Sequence, residues 1–288
     1  MLAVIVLAAI SVAAGVVTFL VVRRSGLLVG KDPARRAADR VARSSSTTPV
    51  QQRMEPETAT SLGLTAALAA LVIGGVVVGC VLLMVRSNTG LARFDRGVAV
   101  WGAKEAGPLA TSILRTITWL GSTIGVWVVA AVVGVVVFVR TRRAAVFAYL
   151  ILVVAGQNVL ANLIKFLVDR ARPAIDQLVG VTGSSFPSGH STAAAASYAA
   201  FALVLGIGLA PRARAALFGV AVAIAVAVGC SRIFLGVHWL TDVIAGFALG
   251  WTWFAIMSIA FGGRLLVFAA PAQLPEDRPR TTVASPSR

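Results

Sequence analysis

The sequence predicts an all-α integral membrane protein, a core of six transmembrane helices preceded by one extra N-terminal transmembrane helix. Three observations predict this class. Of 288 residues, 58% are hydrophobic and 13% are charged, whereas a soluble domain carries about 25% charged residues. Mean hydropathy is +0.89. Seven apolar stretches recur, each near the roughly 20 residues that a helix needs to cross about 30 Å of hydrocarbon. A segment inside lipid must satisfy its own backbone, so these stretches are expected to be helices. The short alternating segments of a membrane β-barrel are absent from the sequence. A soluble globular domain, a disordered chain and a nucleic-acid binder are all excluded, despite a net charge of +15.

The first stretch, residues 2–22, has no Lys or Arg ahead of it and outruns the core of a secretory signal. Arg23 and Arg24 follow directly, as expected of an anchor whose C-terminal end lies in the cytoplasm. Residues 23–60 form a basic linker with Lys31, Arg35, Arg36, Arg40 and Arg43, then a Ser/Thr run at 44–48. It reads as a solvated cytoplasmic segment. The sharper alternative is a basic helix on anionic lipid, where each basic residue adds about 1 kcal/mol. The core, residues 61–263, opens with a span at 61–85. Residues 87–121 follow outside the membrane. Within them Leu109, Ile113, Ile117 and Leu120 recur at helical spacing, which predicts an amphipathic helix on the interface. The remaining spans are 123–139, 144–168, 191–210, 213–230 and 239–260. Gly75 with Gly79, and Gly246 with Gly250, are small-residue spacings that predict close helix packing. Residues 264–288, with Pro279 and Pro286, read as a flexible cytoplasmic tail.

The basic residues orient this string of helices. With the basic linker in the cytoplasm, 17 of the 26 Lys and Arg residues fall on the cytoplasmic side and nine on the outer side. The short loops at 140–143 and 211–214 give the clearest bias. The net charge is therefore mostly topological, and it predicts a multi-pass protein of the cytoplasmic membrane. Cys80 and Cys230 both lie in apolar runs, which excludes a disulfide framework or a cysteine-rich metal site.

Three polar clusters interrupt the apolar background, and all fall on the outer side. The first runs from Lys165 to Arg172 and Pro173; the second is Phe186-Pro187-Ser188-Gly189-His190; the third holds Ser231, Arg232, His238 and Asp242. Lys165, Arg172 and Arg232 stand against the positive-inside bias. Snorkelling to headgroups explains one such cation; a bound anion explains three together, since Arg offers a planar fork to phosphate oxygens and Lys a point charge. Ser188 is placed to cap the helix that follows, and Gly189 allows close backbone approach. A helix N-terminus binds anions through its free N–H groups, although an ordinary cap reads the same way. His238 and Asp242 share a helical face at a spacing of four. A carboxylate on one imidazole nitrogen fixes the tautomer and raises the nucleophilicity of the other. His190 then offers the complementary acid. A metal site is disfavoured: zinc takes three or four N, S or O ligands, and the nearby carboxylates are Asp169, Asp176 and Asp242. Ser188 lacks the Gly-x-Ser-x-Gly elbow of a serine nucleophile.

Taken together, the clusters resemble the signature of the type 2 phosphatidic acid phosphatase superfamily, in its membrane lipid phosphate phosphatase branch. The pattern Lys-x6-Arg-Pro, Pro-Ser-Gly-His and Ser-Arg-x5-His-x3-Asp is matched by Lys165, Arg172 and Pro173; by Pro187, Ser188, Gly189 and His190; and by Ser231, Arg232, His238 and Asp242. The resemblance covers about residues 61–263, so the core would be a six-helix phosphatase core with the first helix and basic linker outside it. It implies that His238 attacks phosphorus to form a phosphohistidine, that Asp242 orients it, and that His190 protonates the leaving oxygen. It further implies that Lys165, Arg172, Ser188, Gly189 and Arg232 cradle the phosphate, with neither metal nor cofactor. The implied partner is a lipid phosphate held in the bilayer, met at the extracytoplasmic face. Richness in Ala, Val and Arg resembles high-GC bacterial proteins. The substrate candidates are then undecaprenyl or decaprenyl diphosphate, phosphatidylglycerol phosphate and phosphatidic acid, with Phe166, Phe186 and Trp239 expected to set pocket width. A lipid phosphotransferase, and a non-catalytic transporter or scaffold on the same fold, are the alternatives. The oligomeric state is left open.

Overall fold

The computed structural model describes residues 1–25, 56–175 and 178–267. The described residues form nine helices: α1 (Leu2–Ser25), α2 (Pro56–Ser87), α3 (Ala92–Glu105), α4 (Pro108–Trp119), α5 (Thr123–Thr141), α6 (Ala145–Val168), α7 (Gly189–Leu205), α8 (Pro211–Phe234) and α9 (Leu240–Val267). No strand occurs among them. The all-α membrane class follows: α1, α2, α5, α6, α8 and α9 are each long and apolar enough to cross a bilayer. The linker at 26–55, with its Lys31 and Ser/Thr run, and the tail at 268–288 lie outside the described residues. The first core helix already starts at Pro56, and the last continues to Val267.

α7 departs from its expected span of 191–210. It has 17 residues and stops at Leu205. The apolar run carries on into a turn in which Gly208 takes φ +77°, and Pro211 then opens α8 at its first position. Apolarity alone does not mark such a turn, because Ile207 packs on the core as a helical residue would. α7 is apolar all round and is enclosed by α5, α6, α8 and α9, so protein rather than lipid buries it.

Small residues set how closely these helices approach. A Cβ on Gly246 of α9 would stand 2.7 Å from the Ser188 carbonyl oxygen, and one on Gly250 would stand 2.5 Å from that of Thr192. This pair packs α9 against α7 as the spacing predicts. Gly75 and Gly79 do not pack: a Cβ on either meets nothing within 4 Å, and the close contact belongs to Gly74, against Thr252. Equal spacing leaves open which side of a helix meets a neighbour.

The segment between α2 and α5 holds two helices where one was expected. α4 is amphipathic, but its buried face is Ala110, Leu114 and Thr118. The predicted stripe holds in part: Ile117 and Leu120 pack on the core beside that face, while Leu109 is 63% exposed. Small Ala110 and Thr118 let α4 lie against α8. α3 carries Asp95 in its first turn, buried. α1 docks on α8 through Ala3, Leu7, Ser11 and Gly15, one buried residue per turn.

Candidate active site

The polar clusters meet at one end of the bundle, where α6 and α8 stop and α7 and α9 begin. α6 ends with Asp169 in the left-handed region at φ 44°, a conformation in which Asp is enriched. The chain then doubles back on itself. Ser185 N donates to the Arg170 carbonyl at 2.8 Å, and Arg170 N donates to Ser184 Oγ at 3.0 Å. This pleat brings Ser184 O to Lys165, whose Nζ donates to it at 2.8 Å.

Arg172 ties the pleat to the turn before α9. Its Nε donates to Gly183 O at 2.9 Å, its Nη2 to Thr182 O at 3.1 Å, and its Nη1 to Val237 O at 2.9 Å. The same Nη1 lies 3.2 Å from His238 Nε2. A guanidinium has donors only, so Nε2 presents its lone pair and the ring proton resides on Nδ1. That nitrogen is 3.4 Å from Asp242 Oδ2. His238 is 2% exposed. Burial pushes its pKa down to about 4, against the opposing pull of Asp242, so the imidazole is neutral near neutral pH. Burial also lowers the Arg172 pKa, again with Asp242 opposing.

Asp242 lies in the first turn of α9, where the helix dipole favours a carboxylate. It is fully buried and fully bonded. Oδ2 also accepts from Trp239 N at 3.0 Å, and Oδ1 accepts from Arg170 Nη1 at 2.6 Å. Arg170 reaches onward to Asp95 Oδ2 at 2.8 Å. Asp95 accepts from Thr241 N at 2.9 Å and from Thr241 Oγ1 at 2.5 Å. Asp95, Arg170 and Thr241 therefore stand behind Asp242, and none was singled out from the sequence. Arg170 reads there as one more basic residue at a helix end, and nothing in the sequence near Asp95 names its partner.

Ser188 caps α7 as expected. Its Oγ accepts from Ser191 N at 3.4 Å and from Ser191 Oγ at 2.8 Å, which leaves its own hydroxyl proton free. Its N–H donates to the Asp242 carbonyl at 3.0 Å, joining the starts of α7 and α9. Gly189 lies beneath Lys165, whose Cε would be 3.8 Å from a Cβ there. His190 is half-buried in the first turn of α7, beside Gly121. Arg232 is 4% exposed and donates from Nη1 to Thr118 Oγ1 at 2.9 Å. Its buried Nε has no protein partner among the described residues. A buried donor left open in a cationic site is an arrangement that an anion completes.

A cavity of about 500 Å³ opens at Lys165 and Arg172, lined also by Asn162, Phe166, Asp169, Thr182, Gly183 and Ser184. A larger one, about 650 Å³, lies by Lys104 and Ala174 and holds none of the predicted site residues. Of the three aromatics expected to set pocket width, Phe166 lines the mouth. Phe186 is instead buried against Val81 and Ala245, and the Trp239 ring packs under the Arg170 guanidinium at 5.4 Å.

The sequence profile of the PAP2 superfamily matches residues 146–265, the stretch that contains all three clusters. Phosphatidylglycerophosphatase B of Bacillus subtilis is 35% identical over 145 residues, covering 50% of this chain and 71% of that protein. Decaprenylphosphoryl-5-phosphoribose phosphatase of Mycobacterium tuberculosis is 35% identical over 171 residues, 58% of this chain and 89% of that one. Lipid A 1-phosphatase of Rhizobium johnstonii is 39% identical over 121 residues, 46% of its own length. The crystal structure of a transmembrane PAP2 type phosphatidylglycerolphosphate phosphatase from Bacillus subtilis superposes with a TM-score of 0.61 at 26% identity. It covers 69% of this chain and 97% of that one.

Proposed function

This chain belongs to the PAP2 superfamily, and we propose that it is a metal-independent phosphatase acting on a lipid phosphate monoester or diphosphate at the outer face of the cytoplasmic membrane. That it is a multi-pass membrane phosphatase of lipids follows from the family and the fold. The finer reading rests above all on one observation: a buried neutral imidazole with Nδ1 on Asp242 and its Nε2 lone pair turned to a guanidinium.

In this reading the phosphate oxygens enter among Lys165, Arg172, Arg232, the Ser188 hydroxyl and the Gly189 N–H. These donors gather charge where it grows in the transition state. His238 Nε2 attacks phosphorus, the bond to the leaving oxygen breaks, and His190 delivers a proton to that oxygen. Asp242 stabilises the imidazolium formed at His238. Water then attacks the phosphohistidine, giving its proton to His190, and breaks the phosphorus–nitrogen bond. Three fixed cations supply the charge that metal ions bring to many phosphoryl-transfer sites. The outer face is supported by the basic loops at the other end of the bundle, Arg140–Arg143 and Arg212–Arg214. The named relatives act on phosphates of phosphatidylglycerol, of lipid A and of a decaprenylphosphoryl ribose. With polyprenyl diphosphates and phosphatidic acid, these are the substrates to try first.

The test is phosphate release by the purified protein in detergent and EDTA, from a panel of these lipids, beside His238→Ala. Release from the parent, and a fall of about 10⁴-fold or more in the variant, is expected. Near-parental release by a folded His238→Ala overturns the nucleophile, and loss in EDTA restored by a divalent ion overturns metal independence.

A further inference from the structure

α4 ends in a tight turn that carries the chain into α5. Leu120 N donates to Ile117 O at 3.1 Å, Gly121 N to Thr118 O at 3.0 Å and Ser122 N to Trp119 O at 3.0 Å. Ser122 then caps α5, its Oγ accepting from Gly125 N at 3.0 Å. Trp119 is 46% exposed, whereas Thr118 and Gly121 are buried. Three contacts join this turn to the phosphate site. Thr118 Oγ1 accepts from Arg232 Nη1 at 2.9 Å and is the one acceptor that this buried guanidinium has among the described residues. Gly121 lies against the first turn of α7. A Cβ there would stand 3.1 Å from His190 O, 3.3 Å from His190 Cβ and 2.3 Å from Val228 Cγ1. Two turns further along α7, the Tyr198 hydroxyl donates to Leu120 O at 3.1 Å and ties the turn to the same helix.

The structure assigns the α4–α5 turn a positioning role: Thr118 sets the angle of the Arg232 fork, and the bare Cα of Gly121 sets how His190 stands at the head of α7. This deepens the phosphatase reading above and rests on it. Each residue acts through a member of the site rather than on the substrate. A guanidinium is a rigid fork of donors on a long, rotatable stem. One bond at Nη1 fixes its angle while leaving the buried Nε open to an anion. Misplacing a reacting group by about 1 Å costs about 10²-fold in rate, so an element that touches no substrate can still govern turnover. A packing role for Thr118 needs its volume, whereas a positioning role needs its oxygen, and two substitutions separate them. Valine keeps the volume and loses the oxygen; serine keeps the oxygen and loses a methyl.

The test measures phosphate release in mixed micelles from the lipid phosphate that the parent uses best, with orthovanadate as a competing anion, and melting temperature alongside. Thr118→Val should lower kcat/KM about 10-fold or more, the effect of one lost bond to a charged group, and weaken orthovanadate by a similar factor. Thr118→Ser should keep both within about threefold of the parent. Parental orthovanadate affinity in Thr118→Val, or a Thr118→Ser as poor as Thr118→Val, overturns the role of Thr118. Gly121→Ala should lower kcat more than tenfold. Adding Val228→Ala removes the closest clash, and the loss should persist because the contacts with His190 remain. Full recovery in that double variant overturns the role of Gly121, which would then serve only to pack on Val228. Absence of phosphate release by the parent from every lipid phosphate tried would remove the phosphatase reading itself. Calorimetric binding of orthovanadate, which needs no turnover, would then still decide whether Thr118 shapes the anion site.

Discussion

α1 and α7 are both apolar helices, yet they are apolar for different reasons. α7 buries 13 of its 17 residues, among them a run of alanines from Ala193 to Ala196. α1 buries one residue per turn against α8 and exposes large side chains such as Ile5, Val12 and Val17. Lipid satisfies the second kind of helix, and protein must satisfy the first. The consequence is functional. Only a helix enclosed on all sides can hold its N-terminus, with Ser188, Gly189 and His190, in fixed register against α9 and the α8 end. The comparison divides the chain into a central unit whose geometry sets the chemistry and a peripheral helix that covers it.

After His238 itself, the largest effect should come from the ion chain behind Asp242. Arg170 bridges two buried carboxylates at 2.6 and 2.8 Å. Arg170→Ala leaves both without their cation, and removing one partner of a buried pair costs about 3–5 kcal/mol. We expect turnover to fall about 100-fold or more, with KM little changed and melting temperature lowered. Arg170→Lys should recover part of it. Asp95→Asn tests the outer link: it keeps an acceptor for Thr241 but drops the charge, so a smaller loss, about 10-fold, is expected. Steady-state kinetics of these variants decides it, and parental kcat in Arg170→Ala would break the claim that the central unit is preorganised.

The next test is steric. Gly246→Val should cut activity strongly and lower the melting temperature, because its side chain must enter the space of Ser188 O. Gly75→Val, on a surface that meets nothing within 4 Å, should be near neutral. Similar behaviour of the two would mean that α7 and α9 do not need their close approach.

A weaker effect is expected from pH. The proposed nucleophile is neutral His238, and burial holds its pKa near 4. The activity carried by deprotonated His238 should therefore be lost through about 4, where the ring protonates, rather than near the ordinary 6.5. Asp242 pulls this pKa upward, so Asp242→Asn should move the acid limb lower even as it slows turnover. A limb near 6.5 in the parent enzyme would show that water reaches His238.

Much of this was legible from residue identity. His238, Asp242, His190 and the three cations are polar or charged groups in an apolar chain, where each demands a reason, and their spacings are local. Ser188 was legible as a cap for the same reason. Arg170 and Asp95 were not, because they are 75 residues apart and each alone looks like a residue at a membrane surface. Their pairing exists only once α3 folds over the start of α9. The packing face of α2 was misjudged by one position and that of α4 in part, since hydropathy and glycine spacing give a period and leave the phase to tertiary contact. The end of α7 was missed because its turn is as apolar as the helix.

The smallest effect should come from α1, and it sharpens the comparison most. A Cβ on Gly15 would stand 2.8 Å from Gly219 O, so Gly15→Leu must lever α1 off α8. Nearer the site end, Leu7 is 3% exposed and packs in one cluster with Leu114, Ile233, Leu235 and Val237. That cluster includes Val237, the residue just before the proposed nucleophile, and α1 bears on it from outside. If α1 is a cover, Gly15→Leu should lower the melting temperature by a few degrees and leave kcat within about threefold. Leu7→Ala, which opens a cavity in that cluster, should cost about 2–5 kcal/mol of stability with the same small kinetic change. A tenfold fall in kcat in Leu7→Ala at a temperature where the protein stays folded would place α1 in the central unit. The hydrophobic turn from Ile233 to Val237 would then hold His238 only when α1 presses on it.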